Sequence, residues 1–178
     1  MQIAKQVDLI AREFEEETDL FVAVSQIQRR LFSYEDSLNA YALDIASVML
    51  KRADQADYDT WLRVGEGITR ATRKRLRSPA IANEYQRMQA EQVDLIKTIP
   101  HEAAMKVHEW VRSGLANGQR FPEIAARIKN ELGASTEARA ICIARTETAR
   151  ARSNFTQARA KAVGSTGYIW RTVGDGAV

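Results

Sequence analysis

The sequence has 178 residues, 45% of them hydrophobic and 28% charged, which fits one domain or two small helical ones and excludes wholesale disorder. A single cysteine, Cys142, excludes an internal disulfide framework, no apolar run is long enough to cross a bilayer, and no secretory leader opens the chain, so a soluble protein made in a reducing cytoplasm is expected. The formal charge of +3 is too small to signal nucleic acid by itself, but its uneven placement suggests at least one charged partner.

Three prolines and nine glycines, four of them beyond residue 160, leave long stretches that favour helix. Ile3, Val7, Ile10 and Phe14 step by four, three and four, the spacing of one helix face. The same segment is acidic (Asp8, Glu13, Glu15, Glu16, Glu17 and Asp19 against Lys5 and Arg12), so its apolar stripe is expected to dock on another subunit. Phe21, Val24, Ile27 and Leu31 predict a second helix, and Leu38, Tyr41, Ile45 and Val48 a third. Trp61, Gly65, Ile68, Thr72 and Leu76 make a less apolar face, with Arg70, Arg73, Lys74 and Arg77 on its other side. Ser78-Pro79 breaks the chain, because proline disfavours helix at the residue before it. Ile81, Tyr85, Met88 and Ile96 then line the next helix.

Thr98-Ile99-Pro100 reads as a second break, with Pro100 in the first turn of a helix that reaches Ser113 and buries Ala104, Val107 and Val111. Gly114 to Gly118 is a turn. Pro122 opens the following helix, lined by Phe121, Ile124, Ile128 and Leu132, and Gly133 is expected to cap it in the left-handed conformation. Ser135 or Thr136 caps one more helix, with Glu137 in its first turn, running to Val163 and ended by Gly164. Tyr168 to Thr172 alternates and is aromatic, which predicts a short strand. The fold class is therefore mainly α: a helical region over residues 1–95, followed over residues 96–178 by a helix-helix-helix-short strand unit.

This second unit carries motifs in a fixed order. Val93-Asp94-Leu95-Ile96-Lys97-Thr98-Ile99-Pro100 comes first, then Gly114-Leu115 and Gly118, then a helix ending in Leu132-Gly133. Arg139-Ala140 precedes the run Ile143-Ala144-Arg145-Thr146-Glu147-Thr148, and Asn154, Ala160, Gly164, Trp170-Arg171-Thr172 and Asp175 complete the set. An Arg-Thr-Glu triplet alone has no specificity; the ordered set does. From Val93 to Asp175 the chain resembles the bacteriophage Mu F-like minor head proteins, the phage head morphogenesis family.

The resemblance implies a virion protein of the capsid interior or portal vertex, present in several copies and assembled in the host cytoplasm. It implies binding to the portal protein, the major capsid protein or both, and to packaged double-stranded DNA, with a part in packaging or ejection of the genome. It implies neither an enzyme nor a cofactor. The family pattern continues past the Asp with an Arg, a His and an Asp-Gly pair, whereas this sequence reads Gly176-Ala177-Val178. Two alternatives therefore stay open: the N-terminal part of an enzyme-linked phage head protein, and a generic helical DNA-binding protein.

Arg145, Thr146 and Glu147 fall mid-helix, where Glu147 and Arg150 are spaced to pair. They read first as a polar clamp on the Tyr168–Thr172 strand or the Gly133 turn, and second as a portal or DNA contact. No nucleophile, metal set or phosphate loop accompanies them, so catalysis is not expected. Arg70, Arg73, Lys74 and Arg77 read as a solvated helix face or, more sharply, as a contact for DNA phosphates or an acidic portal surface. Arg150, Arg152, Arg159 and Lys161 form a second basic region with the same two readings, Arg152 and Arg159, seven apart, sharing one face. His101 and His108 are about 10.5 Å apart along a helix, too far to share an ion, so no metal site is expected. Cys142, between Ile141 and Ile143, reads as a packed core thiol, and Trp170 as the anchor of the strand.

Overall fold

The computed structural model describes residues 2–13, 19–65 and 68–167. Within them six helices follow in order: α1 (Gln2–Arg12), α2 (Leu20–Ser37), α3 (Asn39–Val64), α4 (Arg70–Arg75), α5 (Pro79–Ala116) and α6 (Phe121–Ala162). No strand occurs among the described residues; the strand expected at Tyr168–Thr172, with Trp170, and Asp175 beyond it lie outside them.

The long helices α5 and α6 form an antiparallel hairpin. Glu91 pairs with Arg150 and Glu102 with Arg139, so numbers rise on one helix as they fall on the other. The hairpin turn is built on Gly118, whose φ of 71° lets the Gly118 and Gln119 N–H groups bond back to Leu115 and Gly114. α6 ends in the same way: Gly164, at φ 90°, bonds to Lys161, and Ser165 bonds to Ala160. α1 packs on α6, α2 on α5, and α3 against both.

Two apolar clusters lie along this spine. The larger joins α1, α2 and the first turns of α3 to the C-terminal half of α5 and the N-terminal half of α6, through residues such as Val7, Leu31, Val107 and Leu132. The smaller joins Leu50 and Ala53 of α3, Ile81 and Met88 of α5, and Ala151 and Phe155 of α6. Residue 95 falls inside α5, and residues from both sides of it share the larger cluster.

Several sequence expectations are corrected here. Pro100 does not start a helix. It sits inside α5, fully buried, where a missing N–H and a ring clash cost about 3 kcal/mol and packing against the larger cluster offsets them. Gly133 is not a left-handed cap either. It is helical, in mid-α6, and a Cβ there would come within 2.9 Å of the Asp8 carboxylate, so glycine is what lets α1 lie close. The face proposed from Trp61 to Leu76 is not one helix, because α3 ends at Val64 and α4 begins at Arg70. On α3 the buried line is Ala42, Ala46, Leu50 and Ala53, while Val48 is 42% exposed. Small residues let α3 approach two helices at once, and the larger Tyr41 and Ile45 flank the contact.

The apolar stripe of α1 is also spent inside the chain. Ile3, Val7 and Ile10 belong to the larger cluster, which leaves them no face for another subunit. Phe21 is 69% exposed although Val24, Ile27 and Leu31 of its stripe are buried. Cys142 is exposed, because the buried position of that turn is Ile143.

Candidate functional site

The smaller cluster ends in charge. One turn beyond Ala53, α3 presents Asp57; one turn beyond Phe155, α6 presents Arg159. Arg159 is 2% exposed. Its Nη1 donates to Asp57 at 2.5 Å, its Nη2 to Asp54, and its Nε to the Leu76 carbonyl at 3.2 Å. The Thr156 hydroxyl donates to the other Asp57 oxygen. Each of the three guanidinium nitrogens therefore donates one bond, and two carboxylates balance the buried charge.

The bond to Leu76 attaches the next element. α4 is a six-residue helix, too short to hold itself. Thr69 caps its N-terminus by accepting from the Thr72 N–H, and Leu76 at its C-cap is fully buried. Arg73, Lys74 and Arg75 occupy its last turn, where the helix dipole favours cations. Ser78 and Pro79 turn the chain directly into α5. Arg77 lays its guanidinium over Tyr58, 4.3 Å from the ring centre, and Arg159 lies 5.6 Å from the same ring.

The result is a basic ridge on a fixed base. Arg70, Arg73, Lys74 and Arg77, with Ala71, line an open groove of about 690 Å³ floored by Tyr58. These four cations and Arg75 are exposed, and none pairs with a carboxylate among the described residues. Asp54 and Asp57, beneath the ridge on α3, are held by Arg159. Across residues 68–91 and 145–167, which α5–α6 pairing brings together, eleven Lys and Arg stand against three Asp and Glu. The structure thus gathers the four basic residues of the α4 region. It separates the other pair: Arg152 is exposed, and Arg159 is buried and committed.

Arg139 and Arg150, on either side of the Ile143–Thr148 run, reach across to α5. Arg139 grips Glu102 with two bonds, of 2.6 and 2.8 Å, and holds its carboxyl below the usual carboxylate range. Glu147, 7% exposed, accepts from Arg150 at 3.3 Å, and Arg150 reaches on to Glu91 at 2.6 Å. Ile143 is core, Ala144 is half-buried, Arg145 and Thr146 are exposed, and the Thr148 hydroxyl bonds back to Ala144. Gly164 terminates α6. The contacts to α5 are thus made by Arg139 and Arg150, which flank the run, and the Tyr168–Thr172 segment expected to meet the run lies outside the described residues.

Asp54, Asp57, Tyr58 and Thr156 were not singled out in the sequence. One signal was available: Asp57 continues the spacing of Leu50 and Ala53, and a carboxylate on an apolar stripe requires a buried cation. Among the described residues no group of three or more His, Cys, Asp or Glu is placed to hold a metal ion, and no helix is long and apolar enough to cross a membrane.

No family model matches the chain. A protein of Haemophilus influenzae (strain Rd), described only as uncharacterized, is 32% identical over 153 residues. The match takes in 84% of this chain and 34% of the relative, so the chain spans about a third of that relative's length. No solved structure matches.

Proposed function

We propose that the chain is a phage minor head protein that works by binding: a helical assembly factor that docks on the portal or the inner capsid wall during head morphogenesis. It acts in the host cytoplasm during assembly and stays in the virion afterwards. The observation that carries a binding role is the α4 ridge, an exposed set of cations that pair with no carboxylate among the described residues, fixed to the bundle by a buried arginine. The ordered motifs from Val93 to Asp175 supply the phage-head identity by resemblance. Arg139 and Arg150, the latter steadied by Glu147, act within this reading as struts that keep α5 and α6 in register.

The test is location. Co-expression of the protein with its portal and major capsid proteins should yield procapsids that contain it. An asymmetric reconstruction should place it at the portal vertex or the inner wall. Its absence from procapsids and mature virions alike would sink the reading. A second reading, the N-terminal part of an enzyme-linked phage protein, draws support from one observation: the Haemophilus influenzae relative is about three times as long as the matched segment. An activity lost on removal of the rest of such a longer protein would favour it.

A further inference from the structure

The geometry points to the phosphate backbone of double-stranded DNA as the partner of the α4 ridge, with Arg159 as the residue that positions the ridge from beneath. The inference rests on the binding role just proposed for this same surface and names its partner.

Three features favour phosphates over an acidic protein face, and a fourth, the arginine content, suits either. Arg70, Arg73, Lys74 and Arg77 follow one another at steps of three, one and three, and span about 10.5 Å along the chain's helical rise. A duplex strand offers one phosphate per 3.4 Å of axis, so a row of that length meets about three. Three of the four are arginines, whose planar forks match phosphate oxygens in pairs. A protein interface needs an apolar or aromatic centre, but here the one aromatic ring, Tyr58, is covered by Arg77. Several large exposed apolar side chains, such as Phe21, Phe32, Met105 and Leu115, lie on α2 and the far half of α5, while α3, which leads into α4, exposes Leu43, Val48 and, at its end, Val64. The groove is open and offers no uncovered ring for a base to stack on, so contact with the backbone and tolerance of any sequence follow.

Arg159 touches no phosphate in this arrangement, because it is buried. Its part is to hold Leu76 and thereby the ridge. That separates it from the four surface cations in an experiment.

The probe is a fluorescently labelled 30-base-pair duplex of random sequence, read by anisotropy at several salt concentrations. The wild-type protein should bind it with a log–log salt slope of about −2.7, set by the roughly three phosphates met, so that affinity falls about fortyfold between 50 and 200 mM salt. The quadruple variant Arg70→Ala, Arg73→Ala, Lys74→Ala, Arg77→Ala changes only exposed residues. It should keep its helical spectrum and lose at least tenfold in affinity together with most of the slope. Arg159→Lys, which keeps the charge but has no planar fork, should bind several-fold more weakly with a shallower slope although no surface charge is removed.

No binding at 50 mM salt, equal binding by the quadruple variant, or tighter binding to a poly-glutamate peptide of equal charge would each overturn the inference. Arg159→Lys that binds as wild type would remove the positioning role. A protein found in procapsids that ignores duplex overturns this inference alone; one that binds duplex but is absent from particles overturns the head-protein reading alone.

Discussion

Replacement of Arg159 by methionine would leave Asp57, 7% exposed, facing the apolar cluster without its cation. Loss of one partner of a buried pair costs about 3–5 kcal/mol, so Arg159→Met should lower the midpoint of urea unfolding markedly; an unchanged midpoint would show that Asp57 finds water. The same change at Arg152, which is exposed, should move stability by less than about 0.5 kcal/mol. The contrast follows from the geometry of α6. From Ile143 the buried positions continue at Glu147, Ala151, Phe155 and Arg159, four residues apart each time. Each such step carries the buried line about 40° round the helix. By the turn of Arg159 that line has reached the side on which Arg152 stood in the open, so two residues seven apart share a face and meet different surroundings. Glycine 118 offers a test of another kind. Nothing lies within 4 Å of a Cβ added there, so Gly118→Ala carries only the strain of its φ of 71°, about 1–2 kcal/mol; a melting temperature equal to wild type would mean the turn relaxes to another form.

Between elements, the Glu102–Arg139 pair links α5 to α6 and depends on pH. The hydrogen bonds from Arg139 lower the Glu102 pKa below the ordinary 4.5, outweighing burial, which raises it. A depressed carboxyl pKa stabilises the fold above the unfolded value, and that contribution is lost as pH falls through the folded value. Both side chains are about 40% exposed, so the contribution stays under about 1 kcal/mol. Glu102→Gln should therefore flatten the stability profile below pH 4.5 and change little at pH 7; an identical acid limb in the variant would assign it to other groups. Element boundaries were legible where a break has only local causes. Ser78-Pro79 and Gly164 act on the backbone next to them, and both end helices as their chemistry demands. Pro100 and Gly133 were not legible as helix-interior residues, because their local cost is overridden by neighbours distant in sequence: the larger cluster in one case, Asp8 in the other. The basic α4 ridge could be read from its spacing. Its anchor could not, since Arg159 meets Asp54, Asp57 and Leu76 from about a hundred residues away.

For the molecule as a whole, α1 decides whether the larger cluster closes. Ile3, Val7 and Ile10 are each at most 2% exposed, and burial of such side chains is worth about 1.5–3 kcal/mol apiece. Their sum rivals the whole stability of an ordinary domain, about 5–15 kcal/mol. Deletion of residues 1–12 should thus abolish cooperative thermal unfolding; a truncated protein that still melts sharply would mean that α2, α3, α5 and α6 suffice. Charge is distributed as unevenly as apolar surface. Residues 68–91 and 145–167 hold eleven cations against three anions, while the other described residues hold fourteen against fifteen. With α6 alone 42 residues long, or roughly 63 Å, the molecule is an elongated body whose excess of positive charge is gathered toward one end. Near any strongly charged object such a body feels a torque before it feels a contact, and swings round while still diffusing. Encounter is then aimed as well as attracted, and association rates should drop with added salt much more steeply than dissociation rates change.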